Sequence, residues 1–256
     1  MRREYFCDAL ILSVKATSEK AYGVRVFTRT GIENATLFGG PKSRLRSLVC
    51  PWNRGRIWLY KSDAKNICKI TDFDVVEYHL SFRENLFKMY AANLAAEILI
   101  NTRCAGSPKE CWTLVNGFLD GMELSEEKGA RIGLLRFLWR FIDLLGIKPQ
   151  TAFCPQCSAS YCDENAPQSA VYSENENGFV CCNCADCSQE ATKGRFVLGN
   201  EAINYLQAVS SLSPRQSRAI VISARSFSQI RNLCFFMAES ACGRRLNSLK
   251  TGSEIL

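Results

Sequence analysis

Cys154-Pro155-Gln156-Cys157 and Cys181-Cys182-Asn183-Cys184-Ala185-Asp186-Cys187 hold six of the chain's fourteen cysteines, at the spacing of a tetrahedral thiolate metal site. Two residues between paired cysteines let the backbone curl until both sulfurs face one ion. A second such pair from a distant segment completes four ligands. His79 is the chain's one histidine, so four-sulfur ligation is the available chemistry, and a closed site of this kind is structural rather than catalytic. The expected cofactor is a structural Zn2+ on Cys154, Cys157, Cys181 and Cys184. Cys182 and Cys187 offer a competing register, because Cys184 and Cys187 are also separated by two residues, and Cys162 is a further spare thiol. Ordinary buried thiols or disulfides would match the cysteine count but not the two-pair spacing. Disulfides would also need an oxidising compartment. Asp8 interrupts the apolar run after Met1-Arg2-Arg3 and Lys15 ends it, without a small-residue cleavage signature. No segment approaches the roughly 18 uninterrupted apolar residues of a membrane span. The expectation is a soluble, cytoplasmic protein with no membrane partner.

The elements that must bring the two cysteine pairs together are short. Residues 170–173 and 178–180 read as two strands around the turn Asn175-Glu176-Asn177. Such a ribbon has too little apolar surface to fold alone, and metal ligation worth on the order of 10 kcal/mol would supply the missing stability.

The net charge of +7 is unevenly placed. Residues 1–80 carry 14 basic and 8 acidic side chains, residues 81–192 carry 9 and 14, and residues 193–256 carry 9 and 3. Basic ends around an acidic middle suggest a polyanionic partner such as nucleic acid. The first 80 residues read as five short strands, over 9–14, 23–29, 34–38, 54–61 and 69–78, separated by Gly- and Pro-containing turns. Five such strands make a small barrel. Period-two alternation puts Arg54, Arg56, Trp58 and Tyr60 on one face and Gly55, Ile57 and Leu59 on the other. Likewise Arg25, Phe27 and Arg29 alternate with Val24 and Val26. Guanidinium groups hold phosphates and flat rings stack on unpaired bases, so this surface suits single-stranded DNA. A second basic cluster is Lys42, Arg44 and Arg46. Gly39-Gly40-Pro41-Lys42-Ser43 fails the phosphate-loop pattern because Pro41 stands where the glycine before the lysine belongs.

From Ser81 the period becomes helical. Ser81-Phe82-Arg83-Glu84 reads as a capping box, and Ser107-Pro108 as a second helix start with proline in the first turn. Residues 128–145 are apolar nearly all round and predict the centre of a helical domain, stopped at Gly146. Arg136 and Arg140 are a like-charge pair four residues apart on that helix. Asp143 is the bland counter-ion; an acidic peptide with an apolar end is the alternative. Helices are also expected over 202–212 and 215–242, the latter studded with arginines.

Taken in order, Lys42-Ser43-Arg44-Leu45-Arg46 with Pro51-Trp52, Leu135-Arg136-Phe137 through Leu145-Gly146-Ile147-Lys148-Pro149 into Cys154-Pro155-Gln156-Cys157, Gly178-Phe179-Val180-Cys181 to Cys184, and Gly243-Arg244-Arg245-Leu246-Asn247-Ser248-Leu249 resemble the RecO family of bacterial recombination mediators. The resemblance implies an α+β multidomain protein: an N-terminal OB-fold β-barrel over 1–80, a helical domain over 81–150 and 193–256, and an embedded four-cysteine zinc module over 151–192. It also implies a nucleoid-associated protein that is not an enzyme. Such a protein binds single- and double-stranded DNA, anneals complementary strands, and works with RecR to load RecA onto DNA coated by single-stranded DNA-binding protein. The acidic C-terminal tail of that coating protein would dock on the helical domain, where Arg136 matches a tail-contacting arginine and Arg140 lies one turn on. Two features depart from the family pattern: Cys50 stands where the family commonly has glutamine, and the surplus thiols Cys162, Cys182 and Cys187 blur the metal register. Some members of the family lack the four cysteines altogether, so the metal is scaffold rather than a universal requirement. A zinc-dependent deaminase needs an H-x-E arrangement, whereas His79 is followed by Leu80-Ser81. The remaining alternative is a zinc-ribbon adaptor that binds protein only.

Overall fold

Alternating apolar residues over the first third of the chain close a barrel. The structure is a computed structural model that describes residues 2–40, 43–62, 67–185 and 196–256, the side chains of Arg2 and Arg3 excepted. Its first strands are β1 (Arg2–Ser18), β2 (Ala21–Thr28), β3 (Gly31–Phe38), β4 (Arg54–Ser62) and β5 (Ile67–Glu77), with the short helix α1 (Arg44–Leu48) between β3 and β4. They close in the order β1-β2-β3-β5-β4, the topology of an OB-type barrel. β1 outruns its expected span because it serves two partners. It pairs with β4 through Leu10 and with β2 from Ala9 onward, with a register shift between Ile11 and Ser13. Such a shift lets one long strand bend around a closed sheet. Ile11, Val24, Val26, Leu37, Ile57, Leu59 and Phe73 fill the interior, and Leu45, Leu48 and Val49 at α1 pack against them. Gly55 is sterically required: a Cβ there would come within 2.0 Å of the Asp74 carbonyl oxygen.

Helices α2 (Ser81–Glu84), α3 (Leu86–Asn101), α4 (Pro108–Glu123) and α9 (Asn247–Gly252) belong to the same compact unit, residues 1–130 with 246–256. The capping box expected at Ser81 is not formed. Ser81 Oγ instead donates to Glu123 of α4 at 2.6 Å, and Asn85 caps α3 by accepting from the Lys88 N–H at 2.9 Å. Ser81 lies inside the first turn rather than at its cap, and its N–H and hydroxyl both donate to the Glu123 carboxylate. Glu97 on α3 accepts from the Asn247 and Ser248 N–H groups at 2.8 and 2.9 Å, which ties α9 to α3.

The second compact unit spans residues 131–245. It contains most of α5 (Glu127–Leu144), then β6 (Ser169–Ser173), β7 (Gly178–Cys181), β8 (Val197–Gly199), α6 (Asn200–Ser211), α7 (Pro214–Arg218) and α8 (Ala224–Cys242). Gly146 ends α5's run as the spacing predicts, with φ at 73°. The single helix expected over 215–242 is two helices. Ser223 caps α8 by accepting from Ser226 N, and its own N–H and hydroxyl donate to Glu201 of α6. A capped start in an extended conformation, after the β-branched run Ile220-Val221-Ile222, is better satisfied than continuous helix. Among the described residues no helix is long and apolar enough to cross a membrane.

Candidate functional site

Two constellations carry chemistry, one in each unit. In the second unit, the small sheet runs β7-β6-β8. Register pairs Ala170 with Cys181 and Tyr172 with Phe179, so the end of β7 delivers Cys181. Tyr161 is fully buried and its hydroxyl donates to the Phe179 carbonyl. This contact fixes the first cysteine turn against the strand. That turn is closed by Ser158 N–H donating to the Cys154 carbonyl at 2.9 Å. The second is closed by the Cys184 and Ala185 N–H groups donating to the Cys181 carbonyl, both at 2.9 Å.

These two turns bring the sulfurs of Cys154, Cys157, Cys181 and Cys184 within 4.8 Å of one another, the arrangement of a site that could hold a metal ion. The Cys157 and Cys181 sulfurs are 3.6 Å apart. A tetrahedron with metal–sulfur bonds of about 2.3 Å has edges of about 3.8 Å, so the spacing fits. Burial pushes the Cys154 thiol up, but backbone N–H groups of Cys181, Cys157 and Gln156 outweigh it and bring it down to about 6. Contacts from the Cys157 and Cys181 sulfurs push the Cys184 thiol up to about 12. Four thiolates this close repel one another, and a divalent cation lets all of them ionise together. Cys182 is not one of these four, and its sulfur lies 3.1 Å from Ser169 Oγ. Cys162 is exposed and contacts Gln207 at 3.2 Å. Cys187 lies outside the described residues.

In the same unit, Arg140 is drawn inward. Its Nη2 donates to the Val209 and Leu212 carbonyls, both at 3.4 Å, and to Ser217 Oγ at 3.2 Å. Burial, followed by the charges of Arg136 and Arg218, holds its guanidinium below the ordinary arginine range. Asp143 does not supply the counter-ion, because it pairs with Lys148 at 2.8 Å.

The barrel surface is more divided than the alternation of β4 predicts. Arg56, Trp58 and Tyr60 do point outward, and Arg56 lies 5.2 Å over the ring of Phe6, which is tilted by 42° against Trp58 with centroids 6.1 Å apart. Register nevertheless sets Arg56 between Asp8 on β1 and Asp74 on β5, and Trp58 opposite Asp72. Arg54 is committed elsewhere: its Nη1 donates to Asn116 Oδ1 at 2.9 Å and contacts the Asp120 carboxylate at 3.0 Å. His79, buried, approaches the same carboxylate at 3.1 Å and the Trp52 carbonyl at 2.7 Å. Phe27 must be corrected too. It is 0% exposed, because Trp112 of α4 packs on it with ring centroids 5.4 Å apart, so no face is left for a base. Arg29 lies over the same Trp112 ring and 3.7 Å from Asp8. Arg25 and Arg44 are exposed, and Arg46 lies 4.6 Å over the Tyr22 ring. Lys42 is outside the described residues.

Sequence reasoning missed three surface groups. Phe6 and Phe38 are 59% and 52% exposed, and the Lys69 ammonium sits 4.9 Å from the Phe38 ring. Both rings have outward parity on their strands, a signal available in principle. Nothing local marks Lys69.

None of the curated proteins matches the chain. The family model described as Recombination protein O C terminal matches residues 83–250, well over half of the chain. With a closed five-stranded barrel ahead of those helices and a four-cysteine cluster among them, the chain belongs to the recombination protein O family.

Proposed function

We propose that this protein is a DNA-binding recombination mediator. It anneals complementary strands and, with RecR, helps load RecA onto single-stranded DNA coated by its binding protein. The observation that carries this reading is the family match over residues 83–250 behind a barrel that exposes cations and rings. In this reading residues 1–80 are the DNA-binding domain, residues 81–150 and 193–256 the helical domain, and residues 151–192 the metal module. Cys154, Cys157, Cys181 and Cys184 hold a structural Zn2+, whose role is to brace the small sheet and not to react. Arg25, Arg44 and Arg46 neutralise phosphates while Trp58 and Tyr60 stack on bases; Arg56, set between Asp8 and Asp74, is not one of the phosphate contacts. Arg136 and Arg140, the latter held under the like charges of Arg136 and Arg218, suit the acidic tail of the coating protein. The mechanism is non-covalent: holding two strands on one cationic surface raises the local concentration of complements.

The test is strand annealing on DNA coated with its binding protein, with and without RecR. Acceleration over the spontaneous rate supports the proposal, and no acceleration in either condition removes it. The interleaved acids around Arg56 favour the protein-only adaptor. Retention of a labelled oligonucleotide at low salt, displaced by unlabelled competitor DNA, separates the two, since an adaptor retains none.

A further inference from the structure

Cross-strand neighbours decide where a polyanion can lie on a sheet, because a carboxylate directly opposite an arginine cancels most of its field. On the outer face of the β1-β4-β5 portion, the positions flanking Arg56 are Asp8 and Asp74, Asp72 faces Trp58, and Glu77 faces Arg54. The β1-β2-β3-β5 portion is different. One register row crosses it from Lys15 to Gly23, from Gly23 to Thr36 and from Thr36 to Lys69, then reaches Tyr60 on β4. The adjacent row is Ser13, Arg25 and Asn34. Acidic residues enter neither row until Glu4, beyond Tyr60. The floor between the two lysines is low, made of a glycine and a threonine. Phe38, two residues past Thr36, is half exposed beneath the Lys69 ammonium.

We infer that single-stranded nucleic acid crosses the barrel along this strip. Its phosphates lie against Lys15, Arg25 and Lys69, a base stacks on Phe38, and the arginines of β4 lie outside the path. Three steps between neighbouring strands at roughly 4.8 Å each put the two lysines about 14 Å apart along the sheet, so they would hold different phosphates of one strand. Gly23 and Thr36 let the backbone of that strand sit close to the sheet. This assignment rests on the nucleic-acid reading above and adds its location and the residues that define it.

The experiment is the salt dependence of oligo-dT binding to the full chain, followed by fluorescence anisotropy, for the wild type and three variants. Lys15→Ala with Lys69→Ala should reduce the magnitude of the slope of log K against log salt by about 1.4, two phosphates at about 0.7 each. Phe38→Ala should weaken binding at least about fivefold while leaving the slope unchanged, because stacking releases no counterion. Arg56→Ala should leave the affinity within twofold and the slope unchanged. These positions are at the surface, and circular dichroism confirms that each variant is folded. If the wild type binds steeply but only Arg56→Ala flattens the slope, the strip is wrong and the nucleic-acid reading stands. If the wild type does not bind at low ionic strength, the nucleic-acid reading fails and the strip with it.

Discussion

Arg54 and Arg56 share a strand, a parity and a chemistry, yet the structure gives them separate occupations. Arg54 is a fastening: its guanidinium is hydrogen-bonded to Asn116 and Asp120 of α4 and so binds helix to barrel. Removing it leaves the Asn116 oxygen and part of the Asp120 carboxylate without their donor. Hydrogen bonds to charged groups contribute about 1.5–3 kcal/mol when shielded. Asp120 is 44% exposed on its side chain, so water recovers a share of that. Arg54→Ala should therefore lower the unfolding free energy by about 1–2 kcal/mol, whereas Arg56→Ala should stay within about 0.5 kcal/mol, as ordinary surface changes do. Urea titration of both variants checks the contrast, and equal midpoints would show that the Arg54 contacts carry no net stability. The sequence alone could not separate the two. Alternation tells which side of a strand a residue faces, not whether a helix sixty residues later covers that side. Phe27 was misplaced for the same reason, since only the packing of Trp112 reveals that its outward face is buried.

At the scale of elements, legibility follows how local the determining physics is. The strands of the barrel, the β6-β7 hairpin and the two cysteine turns are written in period-two alternation, Gly- and Asn-containing turns and two-residue ligand spacing, all of which act within a few positions. The break between α7 and α8 and the open capping box at Ser81 were not legible. In each case the deciding partner is a glutamate on another helix, Glu201 for Ser223 and Glu123 for Ser81. Ligand choice within the cysteine cluster sits between these cases. Spacing allowed several registers, and the carbonyl of Cys181, accepting from Cys184 N–H, brings Cys184 into the cluster while Cys182 turns toward Ser169. The proposed zinc should therefore be lost selectively. Cys154→Ser or Cys181→Ser should reduce bound zinc from about one per chain to a small fraction and melt the β7-β6-β8 sheet, whose metal ligation is worth on the order of 10 kcal/mol. Cys162→Ser should keep a full equivalent. Elemental analysis of the purified variants reads this directly, and a full equivalent in Cys154→Ser would mean that another thiol completes the site.

For the whole molecule, the distribution of charge matters more than its sum. A net charge of +7 is modest for a protein proposed to hold a polyanion. The chain instead concentrates 14 basic residues against 8 acidic ones in its first 80 positions, and the sheet register confines most of the strand-borne acids there to one part of the outer face. With the field screened over about 8 Å at physiological ionic strength, acids elsewhere in the chain hardly weaken a strand held on the other part. Lys15, Arg25 and Lys69 of that part, with Arg44 and Arg46 at α1, make five cations available to phosphates. At about 0.7 counterion per neutralised phosphate, single-stranded DNA should bind with a slope near −3.5 in log K against log salt. Raising salt fourfold, from 50 to 200 mM, should then cost about 100-fold in affinity. The same five contacts on duplex DNA, at about 0.9 each, would steepen the slope to about −4.5. A titration of both substrates across that range measures the two slopes. A value shallower than about −1 for both would mean that the barrel does not grip phosphates, and the adaptor reading would then account better for the fold.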